Sequence, residues 1–269
     1  MVLRDVITLT TVRRLAATLN EDPETYQDGS ALPIGWHSLF GSDVRKTEDL
    51  STDGLAPPDD VLPHIPLPRR MFGGARIAFH APLRVGDRLD VSTEVVDVKD
   101  RSGKSGAMTI VVLRQTFSAR DTVCVIEEQD IVYLPAATGG EKPSDGKPAP
   151  VDAEYAVVIE PSPVMLFRYS ALTFNSHRVH YDLPFAKAVE GLPALLVQGR
   201  LLAMLTMGLL TQNGLAERAK RFAYRSVRPI YADRPFRVAA AKAVNGEPVS
   251  LWAADADGNL ALTATADLT

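Results

Sequence analysis

Asn175, His177, His180 and Asp182 fall within eight positions at the end of the stretch Pro163 to Asp182, PVMLFRYSALTFNSHRVHYD. An imidazole can take up and return a proton near neutrality, its ordinary pKa being about 6.5. A carboxamide cannot act as a base there, but its hydrogen bonds can orient a water molecule. Asn175 and His180 are five residues apart, which would put them on poorly matched faces of a helix. A loop or short turn would let both point into one cavity. Leu195–Leu210 follows, apolar on nearly every face, with Pro193 where a first helical turn would begin and Gly214 just past the end. The unpaired N–H groups at that helix's N-terminus would lie close by and could stabilise a developing negative oxygen. A base, an amide and an N–H donor around one cleft suit proton transfer beside a thioester carbonyl.

Plainer readings stand beside this one. His180 alone could be a satisfied buried histidine, and Asn175 could simply turn the loop. His177, His180 and Asp182 form an H-x-x-H-x-D cluster, but no fourth metal ligand is evident, so no metal is expected. Asp182 is better placed to fix the loop. Arg178 and Arg200 flank the motif and could bind phosphate or anchor the loop. Arg69 and Arg70 could grip a carboxylate or a phosphate, or form a solvated pair after a Pro-rich turn. Cys124 lies in the strand-like run TVCVI and reads as core. Gly103-Lys104-Ser105 mimics the end of a phosphate-binding loop, but Val98 stands where the upstream glycine is required.

The elements that must position these groups fall in two parts. Residues 135–150, PAATGGEKPSDGKPAP, lack a large apolar side chain and read as a linker. Residues 1–134 and 151–269 then form units of similar length, as a duplication would leave. Each carries helical material followed by long strands with tight turns. In the first, strands run through FHAPLRVGDRLDVSTEVVDV, MTIVVLRQTFSA and TVCVIEEQDIVYL, with a turn at Asp100–Gly106. In the second, RSVRPIYADRPFRVAAAKAV and VSLWAADADGNLALTATADL meet turns at Asn245-Gly246 and Asp257-Gly258. Pro82-Leu83 and Pro229-Ile230 take comparable places. The first unit's helical candidates are Leu9–Leu19 and Pro33–Phe40, followed by a Pro-rich excursion from Ala56 to Pro68.

The run from Tyr169 to Asp182, YSALTFNSHRVHYD, followed by Gln198-Gly199, resembles the signature of the MaoC-like (R)-specific enoyl-CoA hydratases, F-A-x-L-S-G-D-x-N-P-I-H-x-D and a later H-G. The family's catalytic histidine falls on His180 and its oxyanion glycine on Gly199. Its catalytic aspartate falls on Asn175 and its asparagine on His177, two departures from the pattern. With PLPRRM ahead of Gly73-Gly74, the motif is closer to the branch holding mesaconyl-C4-CoA and itaconyl-CoA hydratases and type 2 3-hydroxyacyl-thioester dehydratases. The resemblance implies an α+β tandem (double) hot-dog fold, each long antiparallel sheet wrapped around a central helix. It implies addition of water to the double bond of an enoyl-CoA, mesaconyl-C4-CoA giving citramalyl-CoA being the substrate expected. His180 would move the proton, Asn175 would orient the water, and the Gly199 N–H would hold the enolate-like oxygen, worth roughly 3–4 kcal/mol at comparable sites. The first unit would line the substrate, because it holds no second copy of the motif.

Composition narrows the rest. The 269 residues carry 29 Lys+Arg against 33 Asp+Glu, a formal charge of −4, which argues against nucleic-acid or membrane-surface partners. A single cysteine excludes an intrachain disulfide, and the first residues lack a signal peptide's apolar run, so a cytoplasmic protein is expected. No cofactor is expected beyond the CoA of the substrate. Exposed sheet edges leave room for a homodimer. Three rivals remain: a broader-chain 3-hydroxyacyl-thioester dehydratase, a hot-dog thioesterase, and a catalytically silent acyl-thioester-binding protein. A thioesterase would need a carboxylate where Asn175 stands.

Overall fold

The computed structural model describes residues 1–57, 61–103, 106–135, 146–244 and 246–269, side chains at 102, 103 and 106 excepted. The elements of the first half are β1 (Val2–Val6), α1 (Leu9–Thr18), β2 (Arg69–Phe79), β3 (Arg88–Gly103), β4 (Gly106–Ala119) and β5 (Thr122–Leu134). Those of the second half are β6 (Tyr155–Ile159), α2 (Pro163–Leu172), α3 (Leu183–Ala188), α4 (Gly199–Gln212), β7 (Ala219–Ser226), β8 (Phe236–Ala240), β9 (Val249–Ala254) and β10 (Leu260–Leu268).

All ten strands form one sheet in the order β1-β3-β4-β5-β2-β7-β10-β9-β8-β6, antiparallel at every pairing. Read outward from the β2–β7 seam, the halves have matching orders: β2, β5, β4, β3, β1 and β7, β10, β9, β8, β6. This is the element order a duplication leaves, and Pro82-Leu83 and Pro229-Ile230 indeed occupy the equivalent β2–β3 and β7–β8 connections. The seam needs Gly74, whose φ is +152°; a Cβ there would lie 2.2 Å from the Tyr224 carbonyl oxygen. With only a hydrogen in that position, β2 and β7 pair from Gly74–Arg225 to Ala78–Arg221. Two sheets are thus joined edge to edge, which removes two of the exposed edges that separate units would have.

Helix α4 packs against β8 and β9. It buries Leu201, Leu202, Ala203, Met204, Thr206, Met207, Leu209 and Leu210, side chains distributed around the helix and not along one stripe. It begins at Gly199, later than the expected Leu195. Residues 195–197 are held extended because Val197 N–H donates to Ile230 O and Ala232 N–H to Leu195 O. That β-like pairing outcompetes the local helix preference suggested by Pro193. Gly214, at φ +68°, follows the helix end as expected.

In the first half α1 forms as expected, with the Thr8 hydroxyl accepting from Thr11 N–H at 3.2 Å. Pro33–Phe40 yields only a single 3-10 turn, Trp36–Leu39, in place of a long central helix. Its Trp36, His37 and Leu39 side chains are buried. Strands β3 and β4 run on to pair Gly103 with Gly106, through most of the expected turn. Residues 104–105, with the Lys104-Ser105 part of the phosphate-loop mimic, lie outside the described residues, as does Asn245. Most of the 135–150 linker, 136–145, does too. Its last residues are pinned to β10, where Leu260 N–H donates to Lys147 O at 2.8 Å. Of the Ala56–Pro68 excursion, 58–60 lie outside the described residues; the described remainder forms neither helix nor strand. No helix among the described residues is long and apolar enough to cross a membrane.

Candidate active site

The motif loop lies between two capped helices. Ser162 accepts from Met165 N–H at 3.1 Å to start α2, with Pro163 in its first turn. After Leu172 the chain turns through Phe174, at φ +53°. Asn175 N–H then donates back to Ser170 O at 2.9 Å. Asn175 Oδ1 accepts from His177 N–H at 3.1 Å, closing the short turn that leads to the 3-10 turn Arg178–His180. Asp182 caps α3 by accepting from Phe185 N–H at 3.1 Å. Loop geometry, and not a helical face, therefore brings Asn175 and His180 into one segment.

A strap from the first half holds this loop. Arg178 N–H donates to Asp53 O at 2.8 Å, and Ser176 Oγ donates to Gly54 O at 2.6 Å. Gly54 is required by both its φ of +86° and its packing, since a Cβ would sit 1.9 Å from Ser176 O. Nothing in residues 51–54 announces this role in sequence; only the fold brings them to position 176.

His180 is 6% exposed, and its Nδ1 lies 2.7 Å from Leu196 O. A carbonyl oxygen can only accept, so Nδ1 carries the proton and the neutral ring presents a lone pair at Nε2. Among the described residues Nε2 has no partner. Burial pulls the His180 pKa down to about 4; the Leu196 carbonyl works against this and neighbouring His177 adds to it. The imidazole is therefore neutral at physiological pH. His177 packs edge-on against it with ring centroids 5.4 Å apart. Burial, aided by Arg70, lowers the pKa of His177 against the pull of Asp53 and Glu190.

The same extended segment that orients His180 delivers Gly199 as the first residue of α4. The Gly199 N–H has no acceptor within the helix, as for any first helical residue. Gln198 does not cap it: its Nε2 donates to Leu166 O and to Ser170 Oγ, both at 2.9 Å. These bonds fasten the start of α4 to α2. A Cβ on Gly199 would meet Ser226 Oγ at 3.7 Å and Phe72 Cδ1 at 3.9 Å, with no steric conflict.

The arginines separate by their contacts. Arg178 donates from Nε and Nη2 to Asp182 Oδ2, at 3.0 and 2.8 Å, and from Nη1 to Thr52 O at 2.9 Å. It also lies over the Phe185 ring, 4.1 Å from its centroid, so its contacts are those of a loop anchor. Asp182 serves Arg178 and the α3 cap together. Arg70 donates to Ala56 O at 3.0 Å, while Arg69 begins β2 opposite Leu134.

Arg200, one residue beyond Gly199, belongs to a buried cluster that the motif does not contain. Its Nη2 lies 3.4 Å from Glu127 Oε1, and His37 Nε2 lies 2.8 Å from Glu127 Oε2. The His37 and Glu127 side chains are each only 2% exposed. Burial pushes the Glu127 pKa up, but Arg200 and His37 overcome this and hold it below the usual carboxylate value. Tyr169 Oη is buried beside Ser38, and burial raises its pKa to about 12. A signal for Glu127 existed in β5: Val125, Glu127 and Gln129 alternate onto one buried face, where a carboxylate needs a partner.

The fold and this site define a hydro-lyase acting on acyl thioesters. A family model for hydroxyacyl-thioester dehydratase type 2 matches residues 35–232, and the chain belongs to that family. It is 37% identical over 264 residues to the mesaconyl-C(4)-CoA hydratase of Chloroflexus aurantiacus, covering 98% of this chain and 93% of that protein. A MaoC-like dehydratase structure from Phytophthora capsici superposes with a TM-score of 0.76 at 16% identity, covering 100% of this chain and 94% of that one. A Mycobacterium tuberculosis structure described as having a double hotdog fold gives a TM-score of 0.57 at 15% identity, with 99% and 94% covered. The architecture is therefore a double hot dog of the α+β class, with the two sheets merged at the β2–β7 seam and α4 as its long central helix.

Proposed function

We propose that this enzyme hydrates mesaconyl-C4-CoA to citramalyl-CoA, using His180, Asn175 and Gly199. The observation that carries the reading is His180: a buried, neutral imidazole with Nδ1 tied to Leu196 O and Nε2 left open. The Asn175 Nδ2 group has no acceptor among the described residues, because its one recorded side-chain bond is made by Oδ1. Nδ2 can therefore donate to the oxygen of a water whose proton faces His180 Nε2. The thioester oxygen would accept from Gly199 N–H at the positive end of α4.

In this scheme the water oxygen bonds to the β-carbon while its proton passes to His180 Nε2. The C=C electron pair moves toward the thioester, and charge develops on the oxygen held by Gly199. His180 then returns the proton to the α-carbon, so that one water is added and the enzyme is restored. An imidazolium of low pKa is a strong acid, which favours this second transfer. Asn175 replaces the negative charge of a carboxylate with an uncharged donor, so His180 is the only base in the scheme.

The similarity to the Chloroflexus enzyme supports the choice of substrate. The test follows mesaconyl-C4-CoA by loss of enoyl-thioester absorbance and by a thiol reagent in parallel. Absorbance loss without thiol release, abolished in His180→Ala while substrate binding persists, is the expected result. Release of thiol would make the protein a thioesterase, and turnover near wild type in His180→Ala would remove the histidine from the mechanism. A strong preference for long-chain enoyl-CoA would refute the substrate.

A further inference from the structure

We propose that Arg200 forms a carboxylate subsite that reads the free acid group of the acyl chain, held in place by Glu127 and His37. This rests on the hydratase reading above and adds to it the means of substrate selection. The geometry begins with adjacency. Gly199 and Arg200 are successive residues in the first turn of α4, and Phe72 borders both: its Cδ1 is 3.9 Å from the Cβ position of Gly199, and its ring centroid is 5.6 Å from Arg200 Cζ. An acyl group whose thioester oxygen lies at Gly199 therefore has a guanidinium at close quarters.

That guanidinium is sunk in the protein but not closed off. Burial works to lower its pKa, but Glu127, Tyr224 and Tyr169 hold it above the ordinary arginine value, and 31% of its side-chain surface remains accessible. Of its five N–H donors, one makes a hydrogen bond among the described residues, and that bond is long, at 3.4 Å. No Arg200 nitrogen is among the buried unpartnered atoms of the described residues, so its unused donors face accessible space and are suited to a planar ligand such as a carboxylate. Tyr169, whose buried hydroxyl sits beside Ser38, lies within electrostatic reach of Arg200.

The first half of the chain supplies the holding pair. Glu127 offers Oε1 to Arg200, while His37 occupies Oε2 at 2.8 Å. Tied in this way, the carboxylate cannot swing to take both edges of the guanidinium. In mesaconyl-C4-CoA the free carboxylate sits on the β-carbon, the atom that receives the water. Its capture by Arg200 would therefore position the reacting carbon as well as select the substrate. A neutral acyl chain would leave Arg200 partly desolvated with no more than its long contact to Glu127, a penalty that discriminates against it.

The experiment compares kcat/KM for mesaconyl-C4-CoA with that for 3-methylcrotonyl-CoA, in which a methyl replaces the carboxylate. Wild type should favour the charged substrate by roughly 100-fold, the scale of one desolvated charge contact. Arg200→Gln should collapse that ratio, and Arg200→Lys should restore part of it by keeping the charge without the fork. Glu127→Gln, which removes the competing anion while retaining its shape, should raise the ratio by roughly threefold or more. A merely structural Arg200 would lower both substrates alike and leave the ratio where it was, which overturns the subsite while hydration itself stands. Absence of hydration with either substrate in wild type would defeat the underlying reading together with the subsite. Should Arg200→Gln not fold, calorimetry on wild type and Glu127→Gln decides, using methylsuccinyl-C4-CoA and isovaleryl-CoA. Preference for the charged analogue, increased by Glu127→Gln, supports the subsite; equal binding overturns it.

Discussion

Replacing His180 by glutamine should change how stability depends on pH, and the size of the change follows from its burial. In the folded protein its pKa is about 4, against about 6.5 in the unfolded chain. A depressed histidine pKa means that the unfolded state binds the extra proton first. Stability is therefore full above about pH 6.5 and falls as the pH drops from there toward 4. With those two values, His180 should cost roughly 2 kcal/mol of stability between pH 7.5 and pH 5.0. Glutamine has no proton to gain, yet its amide can still donate toward Leu196 O. Urea unfolding of both proteins, extrapolated to zero denaturant at a series of pH values, reads the difference directly. His177, shifted in the same direction, remains in both proteins, so the gap between the two curves isolates His180. Parallel curves, within about 0.5 kcal/mol across this range, would show that His180 is not held neutral by burial. The proposed mechanism would lose its base in the stated form. The same argument places the acidic limb of kcat/KM near pH 4 and not near 6.5.

Two further substitutions probe how the loop and helix are set. Gly54→Ala puts a methyl into the Ser176 carbonyl, at a φ of +86°, and should cost roughly 2 kcal/mol or more in urea unfolding while also lowering kcat. A normal unfolding midpoint with normal kcat would show that the strap does not hold the catalytic loop. Gly199→Ala meets only ordinary contacts at 3.7 and 3.9 Å, and alanine is the better helix former, so the unfolding midpoint should not fall. Turnover should nonetheless drop roughly tenfold or more, because the methyl takes space beside the N–H that, in the proposed mechanism, donates to the thioester oxygen. Undiminished turnover would move the oxyanion site away from Gly199.

What could be read from sequence, and what could not, divides by the range of the interactions. Asn175, His180 and Gly199 lie in one short pattern, and the turns around them are made by local bonds such as Asn175 Oδ1 to His177 N–H. The long strands and their turns were legible because alternating apolar runs and Gly turns are local signals too, whereas their order in the sheet was not. The start of α4 was misplaced because a non-local pairing with residues 230–232 holds 195–197 extended, against the local proline cue. That same pairing presents Leu196 O to His180, so the error in the helix boundary and the orientation of the base have one cause. His37, Glu127 and Arg200 lie far apart in sequence and share no motif. Their meeting depends on the β2–β7 seam, which sets the sheet of the first half beside the start of α4.

That seam also accounts for the unequal roles of the halves. In the second half α4 precedes β7 and presents an N–H at its first residue. Before β2 the described residues of the first half form only the 3-10 turns Trp36–Leu39 and Thr47–Asp49, each too short to offer a comparable helix terminus. The imidazole there, His37, is committed to Glu127, whereas His180 keeps Nε2 open. A buried carboxylate is tolerated in the first half because Arg200 crosses from the other half to meet it. In the proposed scheme the catalytic and holding roles divide between the two halves, so a substitution at Glu127 or His37 should alter substrate choice without moving His180.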